Sequence, residues 1–328
     1  MTGTVRHLTL LVNPHARHGA AGAVGDEAAR LLRERGLEVA VIEGRDVDEA
    51  RELAGKAART RTDALVVVGG DGSIRLAVEA TYGSGVPVAV IPAGSGNDFA
   101  RNVGIPLDDV AAAVDVLVAG HTRSVDLGRV TFPDGRSELF GTVTATGFDA
   151  AVTERAIGMR WPRGQSRYTL AALRELIGLR GHHYNVRVDD DEAFDGDLAF
   201  AAIGNTTSYG GGMQIAPAAS LFDGLLDVTL GKLPPRFARL KIAQVFPKVF
   251  SGEHVDDPMV ITLRGKEIEL YCDPPALVSV DGDLVGTLPA VFEAIPAAIE
   301  MLVPEDAGTP ASARGGRSAH PQGDLSSR

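Results

Sequence analysis

Acidic residues beside glycine-rich turns recur in this chain, and that pairing suits the handling of phosphate. Gly69-Gly70-Asp71-Gly72-Ser73 and Gly94-Ser95-Gly96-Asn97-Asp98 each follow a short apolar run and precede a helix-compatible segment. A turn without Cβ atoms lets main-chain N–H groups close on an anion. The helix that follows adds roughly 0.3–1 kcal/mol per favourable contact. Asp71, at such a helix start, is expected to be ionised, or merely to cap its helix; Asp98 can cap the next one. The absence of a GxxxxGK[ST] element makes phosphate binding without a Walker lysine the better reading. Phe99 stands where a dinucleotide fingerprint needs a small residue.

Other carboxylates could complete the chemistry. Asp281-Gly282-Asp283 follows the apolar run Pro275–Val280. Two carboxylates on a tight turn can hold Mg²⁺, accept a substrate proton, or simply close a hairpin. Asp126 ends a strand-like run and could face an interdomain cleft. In Ser220–Asp227, the Asp223 carboxylate and the carbonyls of Ser220 and Leu225 could surround a hard cation; an ordinary turn at Asp223-Gly224 is the alternative. Asn13-Pro14-His15-Ala16-Arg17-His18 reads as a loop after the first strand, its Asn13, Arg17 and His18 facing phosphate or standing as surface groups. The histidines form no metal set, and Cys272, the single cysteine, excludes an intrachain disulfide and a thiol zinc cluster.

The elements that must position these residues alternate. Strands are expected at Leu8–Val12, Val39–Ile42, Leu65–Val68 and Val88–Ile91, with helices at Glu27–Arg35, Asp48–Arg59 and Asp108–Ala119. That alternation predicts a parallel α/β sheet with ligands at the carboxyl ends of its strands. After Gly120 the pattern changes to short strands: 124–131, 139–146, 184–188, 198–203, 226–230, 259–263, 268–271 and 277–280, with Asp-Gly turns at 134–135, 195–196, 223–224 and 281–282. The reading is an antiparallel sandwich or barrel interrupted by helices at Ser166–Leu179 and Arg236–Phe250. Domains are set at residues 1–122 and 123–303, the last strand free to return to the first domain, with a disordered tail at 304–328.

The 328 residues carry a formal charge of -11, which argues against broad nucleic-acid binding. No apolar run reaches the roughly 20 residues of a membrane span. A cytoplasmic protein is expected. Trp161, flanked by Arg160, Arg163 and Arg167, could make a membrane-interface contact or anchor a buried loop.

Taken together, Asn13-Pro14, GGDGS at 69–73, PAGSGNDFAR at 92–101, DGLLD at 223–227 and DGD at 281–283 resemble the diacylglycerol kinase catalytic-domain family, in particular soluble bacterial lipid kinases related to sphingosine and ceramide kinases. The resemblance spans roughly residues 5–303. It implies an NAD-kinase-like α/β domain and a C-terminal β-sandwich, ATP and Mg²⁺ in the cleft, and phosphorylation of a lipid hydroxyl, diacylglycerol first, by an enzyme meeting its lipid transiently at the inner membrane surface. An edge strand in either domain could pair across a two-fold axis to give a homodimer. By the same resemblance, Asn13–Arg17, Gly69–Ser73, Gly94, Ser95, Asn97 and Asp98 belong to the nucleotide segments. Asp283 matches the proton acceptor, with Asp281 beside it. Asp71 and Asp126 match positions tied to Mg²⁺ and phosphate, and Ser220, Asp223 and Leu225 match a structural Mg²⁺ site. Departures from the pattern are Ser73 for threonine, Arg75 for asparagine, Ile42 or Glu43 for threonine, and Asp283 for glutamate. A kinase of a soluble acceptor such as NAD, and a non-catalytic nucleotide- or lipid-binding protein, remain the alternatives.

Overall fold

The continuous apolar runs of the first third become strands covered on both faces. In the computed structural model, which describes residues 6–13, 20–60, 62–159, 171, 181–233 and 245–308, β3 (Ala64–Gly69) and β4 (Val88–Pro92) are buried at every position. Such burial suits parallel strands between helical layers. β1 (His7–Val12) pairs in parallel with β2 (Glu38–Glu43) and β3, and β3 pairs in parallel with β4. The covering helices are α1 (Ala20–Glu34), α2 (Val47–Arg59), α3 (Asp71–Thr81), α4 (Asp98–Val103) and α5 (Val110–Ala119). Local chemistry sets several of their ends. The Asp46 side chain accepts from Glu49 N at the start of α2, Asp109 accepts from Ala112 N at the start of α5, and Gly120 closes α5 at φ 68°.

The second half is antiparallel. β5 (Thr122–Thr131) pairs with β6 (Ser137–Phe140); β7 (Val143–Gly147) leads into α6 (Phe148–Gly158). Then come β8 (His182–Val188), β9 (Asp191–Gly204), β10 (Leu226–Lys232), β11 (Val260–Gly265), β12 (Glu267–Asp273), β13 (Leu277–Val280), β14 (Asp283–Thr287) and β15 (Ala290–Leu302). A separate apolar core, with Tyr184, Phe140, Phe292 and Leu198 fully buried, fills this half.

β15 joins the halves. Its first residues pair with β12, it runs antiparallel to β5 along its length with a register break between Ile295 and Ile299, and Met301 pairs in parallel with Val88 of β4. Through that pair the parallel and antiparallel strands form one continuous sheet.

Several expectations need correction. The stretch 139–146 is two strands, not one, broken at Gly141-Thr142. Asp195-Gly196 lies inside β9; the hairpin turn is Asp189-Asp190, both at positive φ (49° and 73°), which aspartate tolerates better than most residues. α6, β14 and β15 are elements the sequence pattern does not predict. Pro14–Arg17, Trp161 with its arginines, most of both expected interrupting helices and the tail from residue 309 lie outside the described residues. Of the second helix, Phe246–Phe250 is a 3₁₀ turn.

Candidate active site

Strand register brings the phosphate-type turns level. Val12 lies opposite Val68, and Gly69 opposite Pro92, so β1, β3 and β4 end side by side. Asn13 follows at the end of β1, and its Nδ2 donates to Ser73 Oγ in the first turn of α3 (3.3 Å). The glycine turns touch backbone to backbone. A Cβ on Gly94 would sit 2.4 Å from Gly70 Cα, which explains glycine at both. Asn97, in the left-handed region, locks Gly94 in place: its Oδ1 accepts from Gly94 N (2.9 Å) and its Nδ2 donates to Gly94 O (3.0 Å). Gly72 faces open space, with nothing within 4 Å of the position a Cβ would take.

The carboxylates divide by what occupies their oxygens. Asp71 accepts from Asp98 N (3.2 Å) and Phe99 N (2.9 Å), so it caps α4 from the start of α3. Burial pushes its pKa up, against the pull of the Phe99 N–H, and the charges of Asp98 and Asp281 push the same way. The ionisation expected from the helix start is thus opposed by desolvation. Asp98 does not cap its own helix. It accepts from Ser208 Oγ (2.8 Å), Gly211 N (2.6 Å), Gly212 N (2.9 Å) and Arg101 Nη1 (2.7 Å). Nearby, Asn102 Oδ1 accepts from Thr207 N and Oγ1, both at 2.9 Å. α4 is thereby fastened to the loop after β9, a contact between the two halves. That loop, Asn205–Gly212, was missed by sequence reasoning; its signal was the triplet Gly210-Gly211-Gly212, all at positive φ (61°, 88° and 106°).

Asp126 is held from both sides. It is buried, and its oxygens accept from Gly224 N (2.7 Å) and Ala297 N (2.8 Å), tying the 223–224 turn to the register break of β15. Asp223 Oδ1 accepts from Leu225 N (3.1 Å), Ser220 Oγ accepts from Phe222 N (3.3 Å), and Arg264 lies 3.7 Å from the other Asp223 oxygen while pairing with Asp227. The carboxylate of the Ser220–Asp223–Leu225 set thus already faces a guanidinium.

The Asp281-Gly282-Asp283 turn closes the β13–β14 hairpin. Its carboxylates do not act as a pair. Asp281 points inward and accepts from Gly141 N (3.0 Å), Thr142 N (2.8 Å) and Thr142 Oγ1 (2.5 Å); burial raises its pKa against those bonds. Asp283 points outward, its side chain 75% exposed and 3.4 Å from Arg75 Nη1. Arg75 sits one turn into α3, so the hairpin from the second half meets the helix that begins at the first glycine turn. Among the described residues, the cluster of three carboxylates closest to a metal-ligand arrangement is Asp190, Glu267 and Glu269, away from these turns.

A parallel α/β half, an antiparallel half and an acidic hairpin that meets the helix after the first glycine turn make up this fold. A diacylglycerol kinase structure from Bacillus anthracis shares this fold with TM-score 0.70 at 16% identity, covering 93% of this chain and 99% of that one. Yeast NADH kinase, solved with NADH, shares it more loosely, with TM-score 0.52 at 12% identity over 98% and 91% of the two chains. The diacylglycerol kinase catalytic domain matches residues 7–130, and the YegS C-terminal NAD kinase beta sandwich-like domain matches residues 141–303. A diacylglycerol kinase of Mycobacterium tuberculosis is 43% identical over 297 residues, 90% of this chain and 95% of that protein. The chain belongs to the diacylglycerol kinase family. No described helix is long and apolar enough to cross a membrane.

Proposed function

We propose that this chain transfers the γ-phosphate of ATP to the free hydroxyl of diacylglycerol, giving phosphatidic acid, with the lipid presented from a membrane surface. One observation carries the reading: the hairpin bearing Asp283 meets Arg75, one turn into the helix that begins at the first glycine turn, which would set a proton acceptor next to a phosphate cradle. The hydroxyl oxygen forms the new bond to the γ-phosphorus as the bond to the β,γ-bridging oxygen breaks. ADP leaves, and the hydroxyl proton passes to the Asp283 carboxylate. Main-chain N–H groups of the two turns and the open face at Gly72 receive the phosphates. Such a base contributes about 10²–10⁴-fold; positioning supplies most of the remainder.

The reaction implies Mg²⁺. Asp71, whose two oxygens each accept one backbone N–H and keep a second lone pair, would be its hard oxygen donor. A site of one or two carboxylates completed by substrate phosphates fits this ion. When bound, the ion neutralises charge on the phosphoryl oxygens.

The test is transfer of labelled γ-phosphate from Mg-ATP to diacylglycerol in mixed vesicles, with NAD as a second acceptor and Asp283→Asn alongside. Phosphatidic acid with the wild type, cut at least about 10²-fold in the variant, is the expected result. Phosphorylated NAD without phosphatidic acid would assign the soluble acceptor, and wild-type kcat in the variant would remove Asp283 from the base role.

A further inference from the structure

Arg75 is the cation at the junction between α3 and the second half of the molecule. Its side chain is only 14% exposed, yet it meets three carboxylates: Nε donates to Glu79 Oε1 (3.0 Å), Nη2 to Glu138 Oε2 (2.9 Å) and Nη1 to Asp283 Oδ2 (3.4 Å). Glu79 lies one turn further along α3, whereas Glu138 on β6 and Asp283 on β14 come from the antiparallel half. Two edges of the guanidinium are held by Glu79 and Glu138, and the third lies 3.4 Å from Asp283, with the charge of the nearby Asp281 acting on it as well. No other described side chain pairs with Asp283.

The arrangement has an electrostatic use. α3 starts at the Gly70–Gly72 turn, so Arg75 rides on the element that would carry the phosphates. An ionised Asp283 brought next to a polyphosphate is repelled by it. A planar cation fixed beside that carboxylate offsets the repulsion and directs one carboxylate oxygen. The fork geometry matters: a lysine ammonium offers a point charge and cannot hold three carboxylates along fixed edges.

We propose that Arg75 is a positioning residue for phosphoryl transfer, holding Asp283 over the phosphate cradle from an anchorage on Glu79 and Glu138. The proposal rests on Asp283 acting as the base. It predicts that loss of Arg75 acts through Asp283 and lowers kcat, not lipid affinity.

A double-mutant cycle decides it. kcat and KM for Mg-ATP and for diacylglycerol are measured for wild type, Arg75→Ala, Arg75→Lys, Asp283→Asn and the Arg75→Ala/Asp283→Asn pair. Arg75→Ala is expected to lower kcat about 10–100-fold, Arg75→Lys to recover part of that, and KM for diacylglycerol to stay within about twofold. In the pair, the arginine change is expected to cost nothing beyond Asp283→Asn alone, because the group it positions is gone. An equal Arg75→Ala loss in both backgrounds overturns the proposal while leaving the base assignment standing. Wild-type kcat in Asp283→Asn removes the base assignment, and this proposal with it. Should Arg75→Ala fail to fold by circular dichroism, Arg75→Gln, of nearly the same length without the charge, carries the same cycle.

Discussion

Replacing Asp98 should loosen the contact between the halves, and the structure sets the scale. The side chain is 3% exposed and takes four donors: Ser208 Oγ, Gly211 N, Gly212 N and Arg101 Nη1. A hydrogen bond to a charged group contributes about 1.5–3 kcal/mol, and removing one partner of a buried charged set costs about 3–5 kcal/mol. Gly211 and Gly212 are only half-buried, so water can take over part of their bonding. Asn102 also holds Thr207 independently. Both facts put Asp98→Ala at the lower end, about 3 kcal/mol. Asp98→Asn keeps one acceptor but turns an amide N–H₂ toward a donor, at Gly211 N or at the Ser208 and Gly212 side, and should cost about 1.5–3 kcal/mol. Urea unfolding followed by circular dichroism gives both values. Amide hydrogen exchange at Gly211 and Gly212 reports whether the loop is released, with faster exchange expected in both variants. An Asp98→Ala protein within about 0.5 kcal/mol of wild type, with unchanged exchange at those amides, would refute the reasoning.

Gly94→Ala places a Cβ 2.4 Å from Gly70 Cα and 2.7 Å from Asn97 Oδ1, so it should cost at least about 1–3 kcal/mol in thermal or urea unfolding. Gly72→Ala meets nothing within 4 Å and should leave stability nearly unchanged; its effect should appear as an ATP Kd raised about tenfold in calorimetry. His254, buried with Nε2 on Ile215 O, has its pKa lowered from 6.5, chiefly by burial. Between that lowered value and 6.5 the unfolded chain binds a proton that the native state resists. Stability should therefore fall as pH drops through this window, by at most about 1.4 kcal/mol per pH unit. The loss of Tm between about pH 7.5 and pH 5.5 should be smaller in His254→Gln.

The parallel half was readable because its signals are local. β3 and β4 are unbroken apolar runs that stop at glycines, and α5 carries both its caps, Asp109 and Gly120, in adjacent sequence. Local pattern also located most of the short strands after Gly120, although it ran β6 and β7 together. It failed where long-range contacts decide. β15 carries Pro296 and a register break, so its alternation is interrupted, and only its pairing with β5, β12 and β4 makes it the joint of the molecule. The hairpin at Asp189-Asp190 lacks glycine, and Asp195-Gly196 supplied a stronger but false turn signal. In the candidate site, residue types singled out the turns without revealing their partners. That Asp98 serves Ser208–Gly212, and Asp126 serves Gly224 and Ala297, depends on segments about a hundred residues or more away.

Those partners resolve an apparent conflict. A chain of net charge -11 that gathers Asp71, Asp98, Asp281 and Asp283 around a phosphate cradle ought to repel a polyanion. Most of this charge already has donors from the protein itself. Asp98 takes four, Asp281 takes three, and Asp71 takes two backbone N–H groups. Hydrogen bonds of this kind disperse a carboxylate's charge into the fold. Burial opposes those bonds in the ionisation of Asp71 and Asp281, and by favouring the neutral forms it too lessens the negative charge there. The carboxylate left projecting into solvent is Asp283, and it stands beside Arg75. The acidic residues around the glycine turns are thus mainly acceptors that fix the backbone, while the one proposed to meet a substrate hydroxyl, Asp283, stands exposed beside a cation.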